Sequence, residues 1–246
     1  DGLQQEGDAD PTRKEGYNVV GERDAGAVGR RAAHDDGAHF GDGIVVQGTN
    51  GATCSAEGMV FDGTDDYVDV TPWLFGGEAM TVEAYVKRDS ASGNYDRIFQ
   101  FSDAGNDDFV LLCTYTPLSN AAGFYTRVGS SGDSFATSAA NEYSLSVWVH
   151  IVGTVESDGT LKIYMDGDAQ STTGSSGTPA AMTRLYHIIG GASTSPSEYF
   201  AGTIAYLRFW HGVALDADQV AQLYALRIDP TPAPTALPTA MPTFAP

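Results

Sequence analysis

The chain has 246 residues, with 13 Lys+Arg against 32 Asp+Glu, a formal charge of −19 and a sequence pI of about 4.3. This balance excludes a phosphate-binding surface for nucleic acid, which needs concentrated Lys/Arg to release counterions, and it disfavours anionic membrane surfaces for the same reason. No apolar run approaches the roughly 18 residues of a membrane span, so no membrane insertion is expected, and the partners left are cations, neutral sugars and hydroxyl-rich polymers.

Three compositional zones follow one another. Residues 1–39 are polar and expected to be mostly irregular, with one strand candidate at Tyr17-Asn18-Val19-Val20. Residues 40–228 form a β-patterned body. Residues 229–246 carry a Pro-Thr pair every four residues, at Pro230-Thr231, Pro234-Thr235, Pro238-Thr239 and Pro242-Thr243. Proline fixes φ and removes a donor, so this spacing predicts an extended linker or stalk rather than a core, of the kind found outside cells.

Within the body, strands are predicted at 58–61, 66–70 and 80–87. In the last, Met80, Val82, Ala84 and Val86 alternate with Thr81, Glu83, Tyr85 and Lys87, the period of a strand with one buried face. Glu83 is thereby placed at the surface. Further strands are predicted at 97–102, 109–115, 123–128, 147–155, 161–165, 185–190 and 203–210, and Asp158-Gly159 marks a hairpin between two of them. A single helix is predicted, opened at Asp216 by the capping pattern Asp216-Ala217-Asp218-Gln219 with Val220, Leu223 and Tyr224 on one stripe. Short antiparallel strands without βαβ alternation predict an all-β fold, a two-sheet antiparallel jelly-roll sandwich with one short C-terminal helix.

Catalytic patterns are absent from the sequence as read. The Glu residues are dispersed, and glycoside hydrolysis needs two carboxyls about 5 to 9.5 Å apart. No Gly-x-Ser-x-Gly elbow nominates a nucleophile. His150 and His187 lie in predicted strands and His211 directly follows one; packing or hydrogen bonding is the expected role, and their spacing is not that of zinc ligands. Cys54 and Cys113 either form one disulfide or remain free thiols.

Two candidate ligand sites stand out. The turn Asp103-Ala104-Gly105-Asn106-Asp107-Asp108 gathers the oxygen-bearing side chains of Asp103, Asn106, Asp107 and Asp108 before an apolar strand. Ca²⁺ takes six to eight oxygens, so the turn is either a Ca²⁺ site or a self-capped Asx turn. Asp62, Asp65 and Asp66 form a second acidic group, read as turn caps. Tyr95, Tyr115, Tyr125 and Tyr199 are candidate sugar-stacking residues, since an aromatic face is apolar while its hydroxyl stays wet.

Three segments carry a resemblance. Gly58-Met59-Val60-Phe61-Asp62-Gly63-Thr64-Asp65-Asp66-Tyr67-Val68, the hairpin from Trp148 through Asp158-Gly159 to Gly167, and Gly202–Trp210 with the following helix together resemble the laminin-G-like branch of the concanavalin A-like lectin/glucanase jelly rolls, which includes the pentraxins. The resemblance spans residues 44–227 and implies a concanavalin A-like sandwich. Asp107-Asp108 resembles the pentraxins' Asp-Asn calcium-binding pair, whereas Ala192 and Thr194 stand where pentraxins place acidic ligands. The expectation is a non-catalytic extracellular, secreted or cell-wall-associated module binding polysaccharide or glycoprotein glycans, with or without Ca²⁺. Its alternatives are an adhesion domain for extracellular proteins and a glycoside hydrolase.

Overall fold

The computed structural model describes residues 16–20, 46–90, 95–115, 117–129, 132–170, 174–175, 177–192 and 198–230. In chain order the strands are β1 (Gly16–Val20), β2 (Val46–Asn50), β3 (Thr53–Cys54), β4 (Met59–Asp62), β5 (Tyr67–Val70), β6 (Leu74–Phe75), β7 (Met80–Arg88), β8 (Arg97–Ser102) and β9 (Asp108–Thr114). They continue with β10 (Ala122–Val128), β11 (Asp133–Thr137), β12 (Trp148–Val155), β13 (Thr160–Met165), β14 (Asp168–Ala169), β15 (Gly174–Ser175), β16 (Met182–Thr183), β17 (Tyr186–Ile189) and β18 (Ala201–His211), followed by helix α1 (Ala217–Ala225). A nine-stranded sheet runs β14-β13-β12-β7-β18-β4-β3, with β1 on β18 and β15 on β13. A seven-stranded sheet runs β11-β10-β9-β8-β17-β5-β2. Every strand pairing is antiparallel, and the two sheets form the predicted jelly-roll sandwich.

The core lies between the sheets. Val82, Ala84, Val86, Ile151 and Phe209 from one sheet meet Phe99, Phe101, Val110, Leu112 and Phe124 from the other. The inward residues of β7 are therefore the ones its alternation assigns to the core. Gly153 on β12 makes room for a facing ring, because a Cβ there would lie 2.5 Å from Phe124 Cδ2. The hairpin between β12 and β13 turns on Gly159 at φ +84, with the Asp158 Oδ1 accepting the Thr160 N–H at 2.9 Å.

The outer face of β7 departs from expectation. Thr81, Glu83 and Tyr85 are buried too, because residues 213–229 fold back over that side of the sheet. Thr81 Oγ1 donates to the Val213 carbonyl and accepts from the Leu215 N–H, and the Tyr85 hydroxyl donates to Asp229 at 2.8 Å. Helix α1 starts at Asp216 with both arms of the capping box formed, and buries Val220 against Val152 and Tyr164. Glu83, expected at the surface, is wholly inside: its carboxylate meets His150 Nε2 at 2.8 Å and Arg208 at 3.2 Å, beneath Tyr224 of the helix. A strand's alternation reports which face is inward but not whether a second layer covers the other.

The strand candidate at 17–20 is β1, paired with β18. The rest of 1–39, and residues 231–246 of the Pro/Thr stretch, lie outside the described residues. Both cysteines are free: Cys54 is exposed on β3 of the nine-stranded sheet and Cys113 is buried on β9 of the other, which leaves the second of the two thiol readings.

Candidate functional site

Strand register builds the outer face of the seven-stranded sheet row by row, since residues directly opposite each other in antiparallel strands share a face. The middle row is Phe135, Tyr125, Leu111, Gln100, Ile188 and Asp69. On one side of it lie Asp133, Arg127, Phe109, Ser102 and Tyr186; on the other lie Gly123, Cys113 and Arg97. Phe109, Leu111, Cys113 and Tyr125 are buried although they point away from the core, because Tyr95 and Tyr115 pack over them.

The rings have a definite arrangement. Tyr115, Tyr125 and Phe135 form a gently tilted platform, with Tyr125–Phe135 centroids 5.3 Å apart at 34° and Tyr115–Phe135 centroids 5.7 Å apart at 31°. Tyr95 stands edge-on to Tyr125 at 6.2 Å and 84°, as a wall beside the platform. The Tyr125 ring lies across Gly123, where a Cβ would come within 2.5 Å of it, so the glycine is what lets the ring lie flat. Tyr95 adopts φ +62, a left-handed conformation rare for a bulky residue, and its carbonyl accepts a hydrogen bond from Arg97 at 3.1 Å. Phe135 remains 37% exposed, which makes it the platform ring most open to a ligand.

Polar groups flank the rings. Arg97 pairs with Glu198 at 2.9 Å and donates to Gln100 Oε1 at 3.3 Å, while Gln100 donates onward to Asn106 Oδ1 at 2.8 Å. Arg127 lies over the Phe109 ring and pairs with Asp133 at 2.6 Å. Burial raises the Glu198 carboxyl above its ordinary range, with Arg97 opposing the shift, and burial also raises Asp69. The Cys113 thiol is pushed up to about 12 by burial, with the Arg97 guanidinium opposing, so it is a packing group rather than a nucleophile.

Three of the four tyrosines singled out in the sequence, Tyr95, Tyr115 and Tyr125, thus come together. Tyr199 lies across a parallel backbone bridge from Arg97, with its ring against Gly191. Phe135, Arg97 and Arg127 were not anticipated. Phe135 carried a faint signal in the alternation of Asp133-Ser134-Phe135-Ala136-Thr137 after Gly132, a short strand the pattern reading passed over.

The acidic turn is held by hydrogen bonds of its own. Asp103 Oδ1 accepts the N–H groups of Asp107 at 2.9 Å and Asp108 at 3.3 Å, an Asx cap, and Asn106 takes the left-handed φ of +55 with its Oδ1 held by Gln100. The Asp108 carboxylate forms a buried ion pair with Arg184 through Oδ1, and the Arg184 guanidinium also donates to the carbonyls of Phe75 and Ala180 and lies over the Phe75 ring. Among the described residues, Asp62, Asp65 and Asp66 form a three-carboxylate group with oxygens within 4.8 Å of one another. There Asp62 Oδ1 caps the Thr64 N–H at 2.7 Å and Asp66 Oδ2 caps the Asp62 N–H at 2.8 Å, the turn-capping role expected of them.

Two antiparallel sheets with a ring-lined outer face define a jelly-roll module of the lectin type in architecture. The chain belongs to the concanavalin A-like lectin/glucanase superfamily, whose laminin-G-like family profile matches residues 62–221. No curated protein matches it. Among solved structures it is similar to a pentraxin from Limulus polyphemus (18% identity, TM-score 0.53, covering 67% of this chain and 80% of that one). It is also similar to domain 4 of the extracellular arabinanase AbnA from Geobacillus stearothermophilus, solved in complex with arabinotriose (18%, 0.52, 68% and 75%). A third similar structure is the Ruminococcus gnavus sialidase module CBM40 bound to α2,3-sialyllactose (14%, 0.50, 60% and 83%). At these identities the likeness is one of fold.

Proposed function

We propose that the chain is a carbohydrate-binding module that presents the outer face of the seven-stranded sheet to a glycan. The observation that carries this reading is the platform of Tyr115, Tyr125 and Phe135 with Tyr95 as a wall, beside the polar groups of Arg97 and Glu198. A sugar ring has an apolar C–H face and a rim of hydroxyls; the rings receive the first and the ion pair the second. The sugar ligands of the arabinanase domain and of CBM40 support the same reading on this fold.

The module acts by holding its ligand rather than cleaving it. Glu83 is sealed under the C-terminal segment and bonded to His150 and Arg208. Glu198 and Asp133 on the ring-lined face are each engaged by an arginine. Calcium at the turn 103–108 is not part of this reading, because Asp108 belongs to Arg184. An extracellular setting, with the Pro/Thr stretch as a tether to further domains or a matrix, fits a polysaccharide ligand.

The test is isothermal titration or affinity electrophoresis with a panel of polysaccharides, for the wild type and Phe135→Ala, with and without EDTA. Phe135 makes two ring contacts and is partly open, so its loss should weaken binding by about tenfold while the fold persists. Affinity equal in wild type and Phe135→Ala would remove the ring platform from the site.

A further inference from the structure

The described residues include eight Lys and Arg, and seven of them face a carboxylate. The eighth, Arg88, is buried and donates to Thr114, Asn120 and the Tyr143 carbonyl. On the ring-lined face the cations are Arg97 and Arg127, paired with Glu198 and Asp133, and Asp69 adds a further acid in the middle row. The segments 91–94, 116, 130–131 and 193–197, which adjoin β8 to β11 and β17, contain no Lys or Arg, and Arg23, Arg30 and Arg31 precede β2 at the opposite edge of the sheet.

This charge arrangement selects among sugars. A carboxylate or sulfate on a glycan only accepts hydrogen bonds and needs a guanidinium or ammonium free to meet it. To reach Arg97 it must displace Glu198, leaving that half-buried acid unpaired beside a second anion. A hydroxyl both donates and accepts, so it can take a hydrogen bond from Arg97 and give one to Glu198 without breaking their pair. The formal charge of −19 adds long-range repulsion against an acidic polymer.

Resting on the carbohydrate-binding reading above, we propose that the ligand is a neutral glycan, recognised by ring stacking and by hydroxyls bridging the Arg97–Glu198 pair, and that sialylated, uronic-acid and sulfated glycans are rejected. Binding should accordingly be nearly independent of ionic strength, because no net charge is neutralised at the site.

The experiment is a glycan array carrying neutral, sialylated, uronic and sulfated glycans, probed with the full chain and Phe135→Ala at low and high salt. Support consists of neutral hits only, with affinities that change by less than about twofold with salt and fall by about tenfold in Phe135→Ala. Acidic hits that weaken with salt and are lost in Phe135→Ala overturn the neutral ligand while keeping the sugar-binding face. Binding to no glycan at all overturns the carbohydrate reading, and this inference falls with it.

Discussion

Asp108→Asn isolates the role of the acidic turn. The substitution keeps the shape of the side chain and removes its charge, leaving the Arg184 guanidinium, fully buried at 0% exposure, without its anion. The carbonyls of Phe75 and Ala180 and the Phe75 ring still engage Arg184, but none of them carries a compensating charge. Burial already lowers the Arg184 pKa, with Asp108 opposing that shift, so the pair is what keeps the cation acceptable there. Breaking a buried pair by removing one partner costs about 3–5 kcal/mol. At roughly 2–4 °C per kcal/mol for a domain of this size, the Tm should fall by roughly 6–20 °C.

Thermal melts followed by circular dichroism, with Ca²⁺ and with EDTA, read the result. The fall should be the same in both. The double variant Asp108→Asn/Arg184→Met should recover part of the loss, because no charge is then left uncompensated. A Tm within about 2 °C of wild type, or a loss seen only when Ca²⁺ is present, would refute the ion-pair account and return the turn to a metal-binding role.

Other expectations follow from burial. Thiol titration of the native protein should count one reactive cysteine, Cys54, and two after denaturation, because Cys113 is buried and its pKa is pushed up to about 12; two reactive thiols in the native protein would contradict this packing. His187 is stacked on Phe101, and burial, with Arg184 nearby, lowers its pKa to about 3. The unfolded chain binds a proton at this residue below an ordinary pKa of about 6.5 and the native chain does not, so His187 removes about 1.4 kcal/mol of stability per pH unit as pH falls from there toward the folded value. Urea midpoints from pH 7 to pH 4 should decline more steeply for wild type than for His187→Phe; parallel declines would show that this imidazole is not held neutral.

Much of the fold was legible from local pattern. The alternation of Met80–Lys87, the Asp158-Gly159 turn and the Asp216 capping box each act within a few residues, and each appears where the pattern puts it. The tyrosine set was legible as chemistry, yet its assembly was not. Tyr125 meets Phe135 because β10 pairs with β11 in one particular register, and the position of Tyr199 depends on its packing against Gly191. The ion pair of Asp108 joins it to Arg184, 76 residues away, which sequence spacing does not show.

By itself, then, the sequence determined the strand period, the tight turns, the helix start and the acidic balance, because backbone preference and side-chain alternation operate over short spans. Only the tertiary structure decided which outward faces are covered and which charges are spent. Glu83 went inside when the C-terminal segment closed over β7, and the rings became a platform when separate strands came into register. Burial and ion pairing are properties of neighbours in space, and those neighbours are chosen only when the two sheets and the helix pack together.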